Sequence, residues 1–309
     1  MRFACAGDGL CCTDVHLLGP VTRAEQAPIE RVRPLAIVRG RHLAVLAPEP
    51  NGHCTFLSVA PFSEQLRCSI HDPRLQPRSC ARYPFLLAAT PAGGRIGTDH
   101  RCPCRTMGER PLLAVEDAIP SIVDRAGRLS ADRHIGDRIA ITRARRVSFA
   151  RYEAIEHELL GRIEDAESLR ARSWPSLVMR LDEIAIAPTR WAATHAAFAR
   201  GLEAVATRGE AAPFARPWAA SFVRAAARSD VEIEPESMLA DWAADVIWSL
   251  EWALAMSLAE AQREIAWRAE IARALARGID ARRDAAMAEA IAIVEVAGLS
   301  PEWGEFARG

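Results

Sequence analysis

The chain has 309 residues, half of them hydrophobic, and a formal net charge of −1. This length and composition allow a full core, so the sequence predicts a folded globular protein. Its 39 basic residues are all arginine, which excludes chemistry that needs a Schiff-base lysine or the lysine of a Walker phosphate loop on this chain. No run of about 18 apolar residues occurs, and the first residues lack the apolar region of a signal peptide. We therefore expect a soluble, cytoplasmic protein with no membrane partner.

Charge divides the chain near residue 110. Residues 1–110 carry 14 Arg against 9 acidic residues, whereas residues 111–309 carry 25 Arg against 31 acidic residues. This asymmetry indicates two regions of different character. We therefore predict two domains, residues 1–110 and residues 111–309.

The two predicted domains differ in their secondary-structure patterns. In the first, short β-type runs predict strands at residues 35–38, 42–46, 55–59, 85–89 and 95–98. In the second, periodic Ala, Glu, Arg and Leu predict helices over residues 130–171, 175–186, 189–207, 214–228, 236–277 and 280–297. The predicted fold class is mainly α, with a small irregular α+β cysteine-rich N-terminal metal-binding module followed by an all-α helical domain.

Two features of the predicted helices favour ordinary structural roles. Trp248 and Trp252 are one turn apart on the predicted 236–277 helix and are interpreted as core residues that share a face. The charged run Glu153, Glu156, His157 and Glu158 lacks the Glu-x-x-His pair of di-iron bundles. It is interpreted as a solvated helix face.

The eight cysteines all lie in the first domain: Cys5, Cys11, Cys12, Cys54, Cys68, Cys80, Cys102 and Cys104. A reducing cytosol disfavours disulfides, and the neighbours Cys11 and Cys12 could bond each other only with strain. Packing of buried thiols does not explain why they cluster in one third of the chain. Thiolates bind zinc and iron strongly, and one centre can tie together loops too small to bury a core. All eight are therefore candidate metal ligands.

The cysteine spacing favours iron over zinc. Structural zinc sites usually use Cys-x2-4-Cys pairs, and this chain has none. Iron–sulfur clusters accept thiolates from scattered loops, so the sequence predicts an iron–sulfur cluster of the 4Fe–4S type, with zinc as the alternative. Eight thiols exceed the four that one cluster needs, so bystander cysteines, two centres or one polynuclear centre stay open. His53, His71 or His100 could replace a thiolate, although hydrogen-bonded or surface histidines are the simpler interpretation.

Several cysteine contexts follow a defined order along the first domain. They are Phe3-Ala-Cys5, Gly9-Leu-Cys11-Cys12, Cys54-Thr-Phe-Leu57, Cys68-Ser-Ile-His71, Cys80-Ala-Arg-Tyr83-Pro84-Phe85 and Cys102. This order resembles the YkgJ-type cysteine-cluster family, which is described as a zinc- or iron-chelating domain and includes the flagellin lysine N-methylases. The match covers residues 3–105.

Two positions depart from the family's pattern. The common opening Cys-x-x-Cys-Gly-x-Cys-Cys has Asp8 here at its second cysteine, where Cys104 could compensate. The usual Arg-Pro-x-x-Cys has Gln76 here in place of the arginine, for which Arg74 or Arg78 could substitute.

The resemblance implies metal binding. If it extends to activity, it also implies methyl transfer from S-adenosylmethionine to a lysine of another protein, which the helical domain would recognise. A neutral amine nucleophile needs a base or a desolvated site. Asp8, His71 and Tyr83 are the candidate catalytic residues because they lie closest in sequence to the cysteines.

A non-enzymatic protein is the competing interpretation. In that case a zinc or iron–sulfur module has a structural, redox or sensing role, and its helical domain binds a partner protein. The sequence leaves open which of the two holds. Nucleic acid is disfavoured as a partner, since the arginines are spread out and few aromatic residues interleave them.

Overall fold

The structure, a computed structural model, covers most of the chain. It describes residues 3, 5, 7–41, 43–59, 65–72, 74–108, 111–124, 126–163, 190–207 and 215–308. The helix predicted over residues 175–186 lies outside the described residues.

The first 108 residues, which we call the cysteine module, consist of short elements. They are a 3-10 turn (Leu10–Cys12), α1 (Arg23–Val32), β1 (Ile37–Arg39), β2 (Ala44–Leu46), β3 (Leu57–Val59), β4 (Leu66–Cys68), α2 (Arg78–Arg82), β5 (Phe85–Thr90), β6 (Gly93–Thr98) and α3 (Pro103–Thr106). Consecutive strands pair antiparallel, β1 with β2, β3 with β4 and β5 with β6. A small apolar core that includes Ile29, Phe56 and Ile70 lies among the first two pairs. The predicted strands are confirmed to within two residues at each end.

The chain beyond residue 111 returns to the sheet of the cysteine module. After α4 (Val115–Ile122), strand β7 (Arg133–His134) pairs in parallel with β5, so the sheet has the order β6-β5-β7. Strands β8 (Arg138–Thr142) and β9 (Arg145–Ser148) then form a separate hairpin. Both parts of the chain therefore contribute to one sheet.

These strands show that the predicted fold class is wrong in two respects. The second domain is not all-α, because β7, β8 and β9 occupy the start of the helix predicted over residues 130–171, and α5 (Phe149–Arg162) begins only after them. In β8, Ile139 and Ile141 alternate with other residues, and this period of two with β-branched side chains outweighs the helix propensity of Ala and Arg. The cysteine module is also more regular than predicted, since six of its ten described elements are strands.

Residues 190–207 and 215–308 form what we call the helical region. Its elements are α6 (Arg190–Thr207), α7 (Ala219–Ala227), α8 (Pro235–Ser249), a 3-10 turn (Glu251–Leu254), α9 (Leu258–Arg277), α10 (Arg283–Gly298) and α11 (Pro301–Arg308). Every residue from 284 to 294 in α10 is buried, so this alanine-rich helix lies at the centre of the core. Among the described helices, none is both long and apolar enough to cross a membrane.

The helix predicted over residues 236–277 is interrupted at Leu250. This residue has a left-handed backbone (φ 58°), which ends α8 before the 3-10 turn. The interpretation of Trp248 and Trp252 as neighbours on one helix face is therefore wrong. Trp252 is buried, whereas Trp248 is partly exposed and donates from Nε1 to the carbonyl of Ile96 in β6 at 3.0 Å.

Candidate metal centre

Five thiols from four segments of the cysteine module interact with one another, and four of them, Cys12, Cys54, Cys68 and Cys80, belong to or pack against one apolar cluster. Cys12 is in hydrogen-bonding contact with Cys11 and interacts electrostatically with Cys54 and Cys68. Cys80 interacts in turn with Cys54, Cys68 and Cys11. We call Cys11, Cys12, Cys54, Cys68 and Cys80 the five-thiol group.

A tight turn at Gly9 positions the first two thiols. Gly9 has φ +77°, and a Cβ atom there would lie 2.4 Å from Leu66 Cδ1, so both the backbone conformation and the space require glycine. The 3-10 turn with Cys11 and Cys12 follows directly. Cys54 joins this turn through its N–H, which donates to the Cys12 carbonyl at 2.7 Å.

Cys68 and Cys80 are held by a strand and a short helix. Cys68 ends β4 opposite Leu57, and Cys80 lies in the middle of α2. The first residue of α2, Arg78, donates its backbone N–H to Glu25 Oε1 at 2.9 Å. Because Glu25 also caps α1, the position of Cys80 depends on α1.

Burial and neighbouring thiols oppose ionisation of Cys12, Cys54 and Cys80. Burial, followed by the neighbouring Cys68, raises the pKa of Cys54 to about 11. Burial, with Cys54 and Cys68 nearby, raises the pKa of Cys80 to about 12. The pKa of Cys12 is also raised, first by its hydrogen bond with Cys11 and then by burial. A bound cation would reverse this balance, because it stabilises several thiolates at once.

The other three cysteines gather around Asp8, and we call Cys5, Asp8, Cys102 and Cys104 the Cys104 group. Cys104 Sγ donates to Asp8 Oδ2 at 3.0 Å. The Cys104 thiol is also in hydrogen-bonding contact with those of Cys5 and Cys102. Cys102 directly precedes α3 and Cys104 lies within it. The group thus joins the start of the chain to α3.

Arginines from the helical region hold Asp8 in place. Arg228 Nη1 donates to Asp8 Oδ1 at 2.7 Å, and Arg224 Nη2 donates to the Asp8 carbonyl at 3.1 Å. Asp8 is only 2% exposed. Its carboxylate is therefore oriented by one arginine on one oxygen and by Cys104 on the other.

The three candidate catalytic residues have different surroundings. Asp8 lies in the Cys104 group, whereas His71 is exposed near the end of β4. Tyr83 packs on His16 with ring centroids 4.1 Å apart, and its hydroxyl has no hydrogen-bond partner among the described residues. Burial, then the charge of Asp99, raises the pKa of Tyr83 well above its ordinary value. Cys102 and Cys11 add to this rise in the pKa of Tyr83.

A cavity of about 610 Å³ adjoins the segment just before Cys102. Part of its wall comes from Asp99, His100 and Arg101, and the helical region supplies much of the rest, including three tryptophans and several charged residues. The tryptophans are Trp242, Trp252 and Trp303. The cavity therefore lies between the loop that carries two cysteines and the helical core.

Asp245 of α8 fixes this loop against the helical region. Its Oδ2 accepts from Thr98 Oγ1 at 2.7 Å and lies 3.1 Å from His100 Nε2. Burial alone would raise the pKa of Asp245, but His100 and then Arg105 hold it below its ordinary value. Sequence analysis did not find Asp245, because it lies 145 residues from His100 and no local motif marks it. His100 is a hydrogen-bonded histidine, as the simpler interpretation proposed.

The charged run on α5 is not a solvated face throughout, so that interpretation is wrong for Glu156. Glu156 is 3% exposed. It accepts two hydrogen bonds from Arg95 Nη1, at 2.7 and 2.8 Å, and one from Tyr152 at 2.7 Å. A buried carboxylate with three such bonds is a structural tie between α5 and β6.

The thiol side chains of the five-thiol group do not point towards a common centre. Within the parts of the chain that the structure describes, no group of three or more His, Cys, Asp or Glu side chains could hold a metal ion as it stands. Metal binding would require the thiol side chains to rotate towards a common point. The donor set nevertheless fits, because thiolates are the ligands that zinc and iron–sulfur clusters prefer.

Comparisons of the chain with protein-family models, with curated proteins and with solved structures found no match in any of the three. The resemblance to the YkgJ-type cysteine-cluster family therefore stays a prediction from the sequence.

Proposed function

We propose that this chain is a metal-binding protein whose five-thiol group holds an iron–sulfur cluster of the 4Fe–4S type, with zinc as the alternative occupant. The observation that carries the proposal is that thiols from four separate segments, Cys12, Cys54, Cys68 and Cys80, lie at one apolar cluster and interact electrostatically. Four thiolates suffice for such a cluster, and the predicted reducing cytoplasm would keep them free. The metal centre would also cross-link segments of the cysteine module, whose own apolar core is small.

The primary test is the metal content of the purified protein. The protein is prepared anaerobically, reconstituted if loading is substoichiometric, and assayed for iron, acid-labile sulfide and zinc. We expect iron and sulfide in matching amounts, lost in Cys68→Ser and Cys80→Ser but retained in Ser69→Ala, the matched control beside Cys68. Zinc instead of iron would identify the alternative centre, and a protein with neither metal would refute the proposal.

We also propose an enzymatic role, in which the centre supports S-adenosylmethionine-dependent methylation of a lysine on a protein substrate. The resemblance to the flagellin lysine N-methylases suggests this activity. The cavity lined in part by Asp99, His100 and Arg101 favours it over a purely structural role, because its volume falls in the range of small-molecule sites. The chain's own residues would bind and orient the ligand and exclude water there. The competing proposal is a non-enzymatic structural, redox or sensing module whose helical region binds a partner protein.

Binding of S-adenosylmethionine separates these two roles. We expect the metal-loaded protein to bind it by calorimetry, with the affinity lost in Cys68→Ser and retained in Ser69→Ala. If the loaded protein shows no binding, the methylase role is refuted while the metal proposal stands.

A further inference from the structure

Exposed positive charge is concentrated on the hairpin of β8 and β9 and on the first turn of α5. Residues 138–152 contain five arginines and no acidic residue, although the whole chain has a formal net charge of −1. All five arginines are exposed, and within the described residues only Arg143 among them is in an ion pair. We call these five residues the arginine hairpin: Arg138, Arg143, Arg145, Arg146 and Arg151.

The packing of the hairpin directs this charge outwards. Ile139 and Val147 are paired across the two strands and are buried in one apolar cluster. Because side chains alternate between the two faces of a strand, Arg138 and Arg146 lie on the opposite face, towards solvent. Arg138 Nη2 donates to the Arg146 carbonyl at 3.3 Å. The buried face therefore holds the two arginines side by side on the outer face.

The start of α5 adds to the positive charge. Arg151 is the third residue of α5, and the first turn of this helix contains no acidic residue. The N-terminal end of a helix carries partial positive charge, which acidic side chains usually offset. An arginine at this end, beside the other arginines, is electrostatically unfavourable. An anionic group from another molecule would relieve this repulsion.

We propose that the arginine hairpin docks an extended acidic segment of a partner protein. This inference rests on the proposed function, because both roles considered there require a protein partner, and it adds the surface and the charge of that partner. Among the described strands, β8 and β9 pair only with each other, so each has an edge at which a further strand can pair. Basic side chains disfavour pairing with a second copy of this hairpin and favour a strand that carries carboxylates.

A protein segment fits this surface better than a nucleic acid does. Proteins that bind single-stranded nucleic acids usually combine positive charge with aromatic side chains on which the bases stack. Within residues 138–152 the aromatic residues are Phe149 and Tyr152, and both are buried. The hairpin therefore offers charge and strand edges without a stacking surface.

The cavity of about 610 Å³ adjoins the arginine hairpin. Arg143, in the turn between β8 and β9, forms an ion pair with Glu260 of α9, and both residues line the cavity. The cavity wall contains six acidic residues against four arginines, so acidic residues are in excess there. An acidic segment on the hairpin would thus present a lysine of its own to a cavity of opposite charge, as the methylase role requires.

The test is fluorescence anisotropy with the full-length protein, whose metal content is measured in parallel. The probe is a fluorescein-labelled peptide in which glutamates flank one lysine, and the reference peptide has glutamines in place of the glutamates. We expect Arg145→Glu combined with Arg146→Glu to weaken binding of the acidic peptide at least ~10-fold, because two attractive contacts become repulsive. Added salt should weaken binding to the wild-type protein, and the glutamine peptide should bind weakly to both proteins.

Arg23→Glu combined with Arg277→Glu is the matched control. It makes the same change in net charge at two exposed arginines, one in α1 and one in α9, outside the hairpin. Because distant charges are screened at physiological salt, the control should change the affinity less than about twofold. Metal content and thermal unfolding should match the wild type in both double variants, which shows that each is folded.

Each outcome decides the proposal. Loss of affinity in the hairpin variant alone supports the docking surface. Unchanged affinity in that variant, or equal loss in the control, overturns it, as does tighter binding of single-stranded RNA than of the acidic peptide. If the wild-type protein holds metal and S-adenosylmethionine but not the peptide, the docking surface is overturned and the proposed function stands. If the peptide binds through the hairpin of a protein that holds neither, the docking surface stands and the proposed function fails.

Discussion

The cysteine module and the helical region are stabilised in different ways. In the helical region, one continuous apolar core surrounds α10, and side chains from α6 to α11 bury one another. In the cysteine module, four of the six strands have three residues each. The small apolar core among β1 to β4 holds ten buried residues, one of which is Cys54. A core as small as this one supplies little stability by itself, so a metal or another cross-link would add to it. Because Leu10, Val15 and Met107 of the cysteine module join the large core, a metal should stabilise the cysteine module strongly and the helical region much less.

The largest expected effect is that of metal removal. Structural metal sites contribute about 10 kcal/mol or more of apparent folding free energy, so metal-free protein should lose amide protection in residues 10–82. Residues 258–298 should keep theirs. Hydrogen exchange of the loaded and metal-free protein, compared segment by segment, measures both. Equal amide protection of the cysteine module with and without metal would contradict the expectation that the metal stabilises this region.

The converse experiment perturbs only the helical core. Leu275 is fully buried in α9, and Leu275→Ala should lower the free energy of unfolding by about 2–5 kcal/mol through lost burial and a cavity. Metal content should not change. Leu254→Ala is the control, since Leu254 is 59% exposed and should cost less than about 0.5 kcal/mol. Urea unfolding measures the loss, and loss of metal in Leu275→Ala would contradict the separation of the two regions.

Gly9→Ala probes the turn that positions Cys11. It should cost about 1–2 kcal/mol for the left-handed backbone, and roughly 1–3 kcal/mol more because the methyl group would meet Leu66. Gly127→Ala is the control for the backbone cost alone, since Gly127 has φ +75° and open space around its Cβ position. Unfolding midpoints and metal content should both fall in Gly9→Ala, and only the midpoint in Gly127→Ala. Equal costs would mean that Leu66 moves aside freely.

The smallest effects come from the two capping boxes, one in each region. Ser257 and then Arg143 lower the pKa of Glu260 from 4.5 to about 2. This carboxylate therefore adds stability above about pH 4.5, and the contribution is lost as the pH falls towards 2. Glu260→Gln should cost about 1 kcal/mol at pH 7 and remove that part of the acid sensitivity in thermal unfolding. Glu25→Gln should cost a similar amount but also weaken metal retention, because Glu25 holds α2 as well.

The sequence predicted what depends on local patterns. Five of the six strands of the cysteine module and the helix at residues 190–207 follow from hydrophobic periodicity, whereas β4 (Leu66–Cys68) was not predicted. The sequence did not predict β8, where alanine and arginine suggested a helix, or the interruption at Leu250. It also could not predict the contacts of Asp8 with Cys104 and with Arg228. Those contacts join residues up to 220 positions apart, and no local pattern encodes them.

The parallel pairing of β7 with β5 bears on how the chain can be cut for study. Asp132 donates its N–H to the Leu87 carbonyl at 2.8 Å, and Ile135 donates to that of Ala89 at 2.8 Å. A recombinant fragment that stops at residue 110 would remove these donors and expose the edge of β5, a recognised route to aggregation. It would also remove Asp132, which forms an ion pair with Arg82. Arg82 lies two residues after Cys80 in α2. A fragment that extends through Ser148 would keep these contacts, but it would lose Arg228 and Asp245, which hold Asp8 and the loop before Cys102, so the full chain is the product to express for metal analysis.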